Sequence, residues 1–489
     1  MMKKPQLTLL FLLCLLAACE TPDAVNVRTH QLFSDHTVLQ RGTSINIWGT
    51  ADPGGSLEVQ LAGSREIARA DSSGRWMVSF PEMEAGGPYE LSIEGADTTI
   101  SFRDILIGDV WLASGQSNME WPMKGGIDDQ EKEIAEADYP EIRIFKVAHD
   151  ISYQPEEQLE EGNWQPVTPQ SVADFSAVAY FFGREIQQEV GVPVGLLQST
   201  WGGTPAEAWT SREALADMKD FEEKLAQMPE EVSPEDTSAG GKNPRQPTVL
   251  YNAMIHPLIP YKIRGVIWYQ GESNAGRATQ YQTLFPLMIE DWRNRWGIGD
   301  FPFLFTQLAN FKPAPPLDFD DWAELREAQL MALDLDNTGM AVTIDIGDSL
   351  DIHPRNKLDV GRRLALSALK VAYGRDNVWS GPLYESMRVQ GDSAIITFKE
   401  VGDGLMVLPG EEIRGFTISG EDQKFYPAQA RIISENEMSV WSSRVDQPEA
   451  VRYGWSNNPD LNLYNESFLP ASPFRTDEWT GIEEMESDI

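Results

Sequence analysis

The feature that most restricts the fold of this chain is an apolar run over 105–113 that stops at Gly115-Gln116-Ser117-Asn118-Met119. A run of this length bounded by glycine reads as a strand buried on both faces, as in a parallel sheet covered by helices. The arrangement recurs. Residues 192–197 lead into Ser199-Thr200-Trp201-Gly202-Gly203-Thr204, 263–269 into Gln270-Gly271-Glu272-Ser273-Asn274, and 340–344 towards Asp351-Ile352-His353-Pro354. Helical patterns over 177–190, 279–296 and 359–373 lie between or after these runs, so 104–375 reads as an alternating α/β domain. Polar loops leaving the carboxyl ends of such strands converge on one edge, where open α/β sheets bind ligands.

The flanks read differently. Over 20–103, short alternating runs at 44–49, 56–61, 76–80 and 89–93 are punctuated by Pro53-Gly54-Gly55 and Gly86-Gly87-Pro88, the pattern of a β-sandwich. Over 376–489, runs such as 394–398 and 438–441 predict a second β-rich domain. The stretch 229–246 is polar and rich in Pro, Gly and Ser, as an exposed loop would be. Residues 1–19 read as an export signal: a basic start at Lys3-Lys4, an apolar core over 9–16 too short to span a bilayer, then Leu16-Ala17-Ala18-Cys19. That ending resembles a bacterial lipobox, which implies a lipidated Cys19 and an exported lipoprotein on the periplasmic or cell-surface face of a membrane. Cys14 and Cys19 are the only cysteines, so no disulfide is expected in the mature protein.

Charge narrows the partners. With 39 Lys+Arg against 76 Asp+Glu the formal charge is -37, which repels nucleic-acid phosphates and anionic lipid headgroups. Membrane contact is therefore expected only through the N-terminal lipid. The chain has 5 His, with no His-x-x-x-His and no mature Cys pair, so no metal site is expected.

Ser117 is the candidate nucleophile. Gly-Gln-Ser-Asn-Met is not the Gly-x-Ser-x-Gly elbow of α/β-hydrolases, and serine is also a good helix N-cap. A serine hydroxyl needs a base, and His353 is the candidate. Pro354 pushes His353 towards an extended conformation, in which Asp351 and His353 share a face. Asp351 is thus the candidate acid, with Asp348 reachable if Ser349-Leu350 turns. Gly202 or Gly203 could present a backbone N–H to an oxyanion, and Gln270 a side-chain amide. His256, in Ile255-His256-Pro257, has no flanking acid and reads as structural.

Ser-Gly-Gln-Ser-Asn-Met, Trp-Tyr-Gln-Gly-Glu-Ser-Asn-Ala and Asp-Ile-His-Pro-Arg-Asn-Lys together resemble the sialate O-acetylesterase family of SGNH hydrolases. Segments near both ends, 31–41 and 463–475, are similar to it too. The resemblance implies a flavodoxin-like, three-layer catalytic domain and a cofactor-free serine esterase that removes O-acetyl groups from sugars. Sialate 9-O-acetyl groups, acetylxylan and other plant or algal glycans are all substrates of that class. It matches Ser117 to the nucleophile, His353 to the base, and Ser117 N–H, Gly202 N–H and the Gln270 side chain to the oxyanion donors, with Asn274 an alternative to Gln270. The wider superfamily places its acid three residues before His, where this chain has Leu350, so Asp351 and Asp348 both stay open. Gln116, Asn118, Trp201, Glu272 and Asn274 share these loops and are candidates for substrate contact. A rival of another class is a carbohydrate-binding lipoprotein with an inactive hydrolase core. It rests on the β regions and 15 Trp; the Ser, Asp and His set argues against it.

Overall fold

The computed structural model describes residues 24–229, 243–312 and 321–479. The lipobox-like ending with Cys19 lies outside them, as does most of the polar 229–246 stretch.

One strand organises the molecule. β1 (Thr99–Gly115) alternates exposed and half-buried residues up to Asp104 and is buried throughout from Ile105 onward. Its first half pairs antiparallel with Gly86–Glu94, and Val38–Gln40 pairs parallel with Leu106–Gly108. Its second half enters a parallel sheet, where both faces are covered and polar alternation has no place. The expected boundary at 103/104 therefore falls inside a continuous strand, because backbone pairing does not stop where composition changes.

The parallel sheet adds β2 (Tyr139–Lys146), β3 (Gln165–Val167), β4 (Val194–Thr200), β5 (Gly265–Tyr269), β6 (Phe303–Thr306) and β7 (Thr338–Ala341) in the order β3-β2-β4-β1-β5-β6-β7. Only the edge strand β3 runs antiparallel to its neighbour. Register sets the two faces. Gly265 pairs with Trp111, so Trp268, an odd number of residues on, points to the opposite side. Trp111 packs edge-on against Phe182 of α2 (Ala177–Val190), with ring centroids 5.0 Å apart. Trp268 packs against Trp292 of α3 (Ala278–Trp296) at 5.8 Å. Helices thus cover both faces.

α4 (Asp321–Met331) lies against α3, and α5 (Lys357–Val371) against α2. A side chain at Gly361 would place its Cβ 2.7 Å from Phe181 Cβ and 2.9 Å from the Val178 carbonyl, so glycine permits the close crossing of α5 and α2. α5 begins at Lys357 rather than at the expected 359, since Asn356 Oδ1 caps it by accepting the Asp359 N–H at 3.0 Å.

Both flanks are β-rich. The N-terminal strands Ser56–Leu61 and Arg75–Phe80 alternate buried and more exposed residues as expected, and their buried side chains belong to the same core as the parallel sheet. The C-terminal region forms two four-stranded antiparallel sheets around its own core of Ile396, Phe398, Phe416, Ile418, Val440, Tyr453 and Phe474. Arg326 of α4 fastens it to the α/β layer. Its guanidinium donates to the carbonyls of Leu308 (2.9 Å), Ala309 (3.0 Å), Ser456 (2.8 Å) and Asn457 (2.9 Å). Burial pushes this guanidinium down to about 9, which leaves it charged at neutral pH. Among the described residues, no helix is long and apolar enough to cross a membrane.

Asp109, fully buried on β1, gathers three parts of the chain. Its carboxylate accepts from Arg41 Nε and Nη2 (both 2.9 Å), the Tyr373 hydroxyl (2.9 Å) and Gln40 Nε2 (3.3 Å). Asp109→Ala is expected to destabilise the protein by about 3 kcal/mol, the lower end for breaking a buried pair, because the partly exposed Arg41 can rehydrate. Chemical denaturation of both proteins measures the difference; an unchanged midpoint would show that the pair contributes nothing net.

Candidate active site

Three strand ends lie level. Gly115 of β1 pairs with Thr200 of β4 on one side and Tyr269 of β5 on the other, so the loops that follow emerge together. Gly115 has φ of +136°, and a Cβ there would sit 2.2 Å from the Tyr269 carbonyl, so only glycine fits. That carbonyl accepts the Gln116 N–H at 3.0 Å, and the Gly115 carbonyl accepts the Trp201 N–H at 3.1 Å. The turn presents Ser117 as the first residue of α1 (Ser117–Glu120), with Gln116 in the capping place. Ser117 is therefore not the cap, and its N–H belongs to the first turn, where no intrahelical acceptor exists.

The loop after β7 returns to meet it. His353 Nε2 lies 3.0 Å from Ser117 Oγ, and the imidazole stacks on Trp121 with centroids 4.4 Å apart and planes 22° from parallel. Asp351 Oδ1 is 3.5 Å from His353 Nδ1 and accepts the His353 backbone N–H at 2.9 Å. The candidate acid and base do face each other, but through a bend at Ile352 and His353 rather than the extended segment expected. The Asp351 carboxylate folds back onto the N–H two residues on, and that local bond competes with extension. Asp348 turns elsewhere: its Oδ1 accepts the Leu350 N–H at 2.8 Å. Burial, followed by the nearby Lys357 ammonium, holds the His353 imidazole below its ordinary range, so it is neutral and able to accept a proton at pH 7.

The expected oxyanion donors divide. Gly202 lies beside the candidate nucleophile, since a Cβ built there would be 3.3 Å from Ser117 Cβ. Its N–H donates to Glu120 Oε2 at 2.6 Å, so this anion-seeking donor already holds a carboxylate. Glu120 Oε1 in turn lies 2.8 Å from His149 Nε2, and the His149 ring stacks on Trp201 at 4.2 Å. Gln270 is turned away. Its amide nitrogen donates to Asn274 Oδ1 (2.7 Å) and the Thr204 carbonyl (3.2 Å), and its oxygen accepts from the Tyr281 hydroxyl (3.0 Å). Every polar atom of this fully buried side chain is engaged within the scaffold, which leaves none for an oxyanion.

Four expected substrate contacts are likewise internal. Asn274 bridges Ala206 N–H (3.0 Å) and Glu207 (3.1 Å), and Gln116 Oε1 accepts from Ser273 N–H at 3.2 Å. Asn118 donates to Glu272 at 2.5 Å. Trp201, half-buried beside Gly202, has its ring stacked on His149. His256 bonds the Glu156 carbonyl at 2.8 Å. No group of three or more metal-ligating side chains occurs among the described residues.

A family model for carbohydrate esterases of the sialic acid-specific acetylesterase type matches residues 107–370. The chain is 31% identical to the sialate O-acetylesterase of Mus musculus over 94% of its own length and 96% of the relative's. It is 31% identical to that of Homo sapiens, with 97% of each covered. The chain belongs to this esterase family. The crystal structure of a carbohydrate acetylesterase from Xanthomonas citri superposes with a TM-score of 0.85 at 43% identity, covering 92% of this chain and 100% of that one.

The protein is a carboxylic ester hydrolase, and its site holds residues the sequence did not mark. Trp121 and Lys357 each lie four positions beyond a candidate, Ser117 and His353, a spacing that brings side chains together only where the chain is helical. Glu120 and His149 carried no signal at all, being one charge among many and one of 5 His.

Asp351→Asn is expected to lower kcat by about 10²-fold, the modest end of the range for a triad acid, since this carboxylate is half exposed and 3.5 Å from the ring. Asp348→Asn keeps the oxygen that caps Leu350 and should stay within about threefold of wild type. Steady-state rates on an aryl acetate compare the two. The reverse ranking would assign the acid to Asp348.

Proposed function

We propose that the protein removes O-acetyl groups from carbohydrates by a two-step acyl-enzyme route, and that its preferred substrates are O-acetylated sialic acids. The observation that carries this reading is the 3.0 Å approach of Ser117 Oγ to His353 Nε2 at the carboxyl edge of the parallel sheet. With Nδ1 protonated and facing Asp351, Nε2 accepts the serine proton as Oγ attacks the acetyl carbonyl. The tetrahedral oxyanion is met by the N–H groups of Ser117 and Gly202, the Glu120 carboxylate yielding the second as the acetyl group enters. His353 returns the proton to the sugar oxygen as it leaves. Water then enters by the same route and releases acetate. The curated relatives, sialate O-acetylesterases aligned almost end to end, support the sialate preference over acetylxylan and other plant or algal glycans.

The fold we assign is the flavodoxin-like SGNH arrangement with a β-sandwich before it. The same reading holds that the chain is exported and anchored through lipid on Cys19. A diacylated cysteine carries two chains, enough for stable anchoring.

Ser117→Ala should remove at least about 10³-fold of kcat with the fold intact. Wild-type enzyme should release acetate faster from 9-O-acetylated sialic acid than from acetylated xylan; the opposite order would move the substrate to plant-type glycans. For the anchor, Cys19→Ser should abolish labelling by a fatty-acid probe and shift the protein to the soluble fraction. An unlabelled, soluble wild type would leave the Leu16-Ala17-Ala18-Cys19 ending an ordinary signal.

A further inference from the structure

Behind the imidazole lies a cluster that the acyl chemistry does not use. Lys357, 1% exposed, donates from Nζ to Asn118 Oδ1 at 2.5 Å. Asn118, also 1% exposed, donates from Nδ2 to Glu272 Oε1 at 2.5 Å and to the Ile352 carbonyl at 3.0 Å. Glu272 Oε2 is buried without a hydrogen-bond partner. The Lys357 ammonium also faces two rings, at 5.9 Å from the Trp121 centroid and 5.7 Å from that of Tyr269.

These contacts tie the loop after β7 and the start of α5 to α1 and the loop after β5, which already lie side by side at paired strand ends. Asn118 adjoins the nucleophile on α1. Ile352 adjoins the base on the loop after β7. Glu272 opens the loop after β5, and Lys357 opens α5. Asn118 reads both partners through one planar amide: its oxygen takes the ammonium, while its nitrogen takes the carboxylate and the peptide next to His353. Trp121 is shared, since the His353 ring stacks on the same indole that Lys357 faces.

We propose that Lys357 is a positioning residue for the catalytic base, acting through Asn118 and Trp121 to fix His353 against Ser117. This rests on the esterase reading above. It goes further by giving a task to a buried cation that would otherwise only be costly to keep, because isolated buried charges are destabilising. Its electrostatics run the same way. Burial pushes the Lys357 ammonium down to about 7, Glu272 and Asp351 opposing the fall, and burial raises Glu272 above the ordinary carboxylate range. The charged groups facing His353 are Asp351, which raises its affinity for a proton, and Lys357, which lowers it. Those facing Lys357 are Glu272 and Asp351, beside the neutral His353 ring; the buried Tyr269 phenol that it also faces is held protonated, and Arg326 acts on that phenol from α4.

Lys357→Met in the full chain removes the charge and the hydrogen bond at similar volume. We expect kcat on an aryl acetate to fall about 10–100-fold, the scale of a small misplacement of reacting groups, with KM within about threefold. Removing the cation should also move the acidic limb of kcat/KM to higher pH, and in a variant that melts like wild type that shift reads the lost charge rather than loosened packing. The double variant Lys357→Met with Glu272→Gln removes the stranded carboxylate and isolates catalysis from stability. A double variant that melts like wild type but keeps the low kcat and the shifted limb supports the inference. Wild-type kcat and an unmoved limb in either variant would overturn it, as would failure of both to fold, which would make the cluster structural only. An inactive wild type would instead refute the esterase reading, so the two failures are distinguishable.

Discussion

Ser117 and His353, the proposed nucleophile and base, lie 236 residues apart and must be held at 3.0 Å, and most of the architecture around the site serves that one contact. The serine side is fixed by backbone: level strand ends, a glycine pressed on the Tyr269 carbonyl, and a helix that begins at once. The histidine side is a loop, so it needs separate anchors along its length. Arg363 of α5 grips Asp345 with two bonds of 2.6 and 2.8 Å, and Asn310 Oδ1 accepts the Gly347 N–H at 2.8 Å. Asn118 holds the Ile352 carbonyl and Asn356 caps α5. Each anchor uses a polar partner that is itself buried or half-buried, where an unmade hydrogen bond costs more than a made one gains.

Much of this was legible in the chain. Ser117 and His353 stood out because each follows an apolar run, and strand ends place chemistry on one edge whatever lies between them. Asp351 was legible from its spacing, though for a different local reason: a side-chain bond to the backbone, not an extended strand. Gln270 shows where such reasoning stops. Sequence places its backbone correctly at the end of β5, yet the side chain is drawn inward by a tyrosine on α3 and a carbonyl on the loop after β4. Which partner a polar side chain takes is decided by tertiary packing, and no local pattern carries it. Lys357 escaped notice for the same reason. On its own helix it looks like an ordinary solvent-facing lysine; the Trp121 and Tyr269 rings are what enclose it.

Electrostatics near the site are local despite an excess of acid over the whole chain, 76 acidic to 39 basic residues. The Glu120 carboxylate sits on a backbone donor, beside a histidine stacked on an indole, and Lys357 lies behind the base. A distributed surface charge of this kind is screened within about 10 Å in ordinary salt, whereas these buried and half-buried groups are screened much less. The surface charge thus bears on solubility and partners, and the few inward-facing charges bear on the chemistry.

The strand Thr99–Gly115 belongs to two sheets at once, and this limits how the protein can be taken apart or reassembled. Its N-terminal half is paired with Gly86–Glu94, its middle with Val38–Gln40, and its last residues aim Ser117. A chain begun at residue 104 would keep every residue of the active site and lose the neighbours that hold the strand leading to it. The N-terminal region is therefore not a detachable module. Any ancestor or engineered chimera that exchanged it for another β domain would have to rebuild the root of the catalytic strand as well.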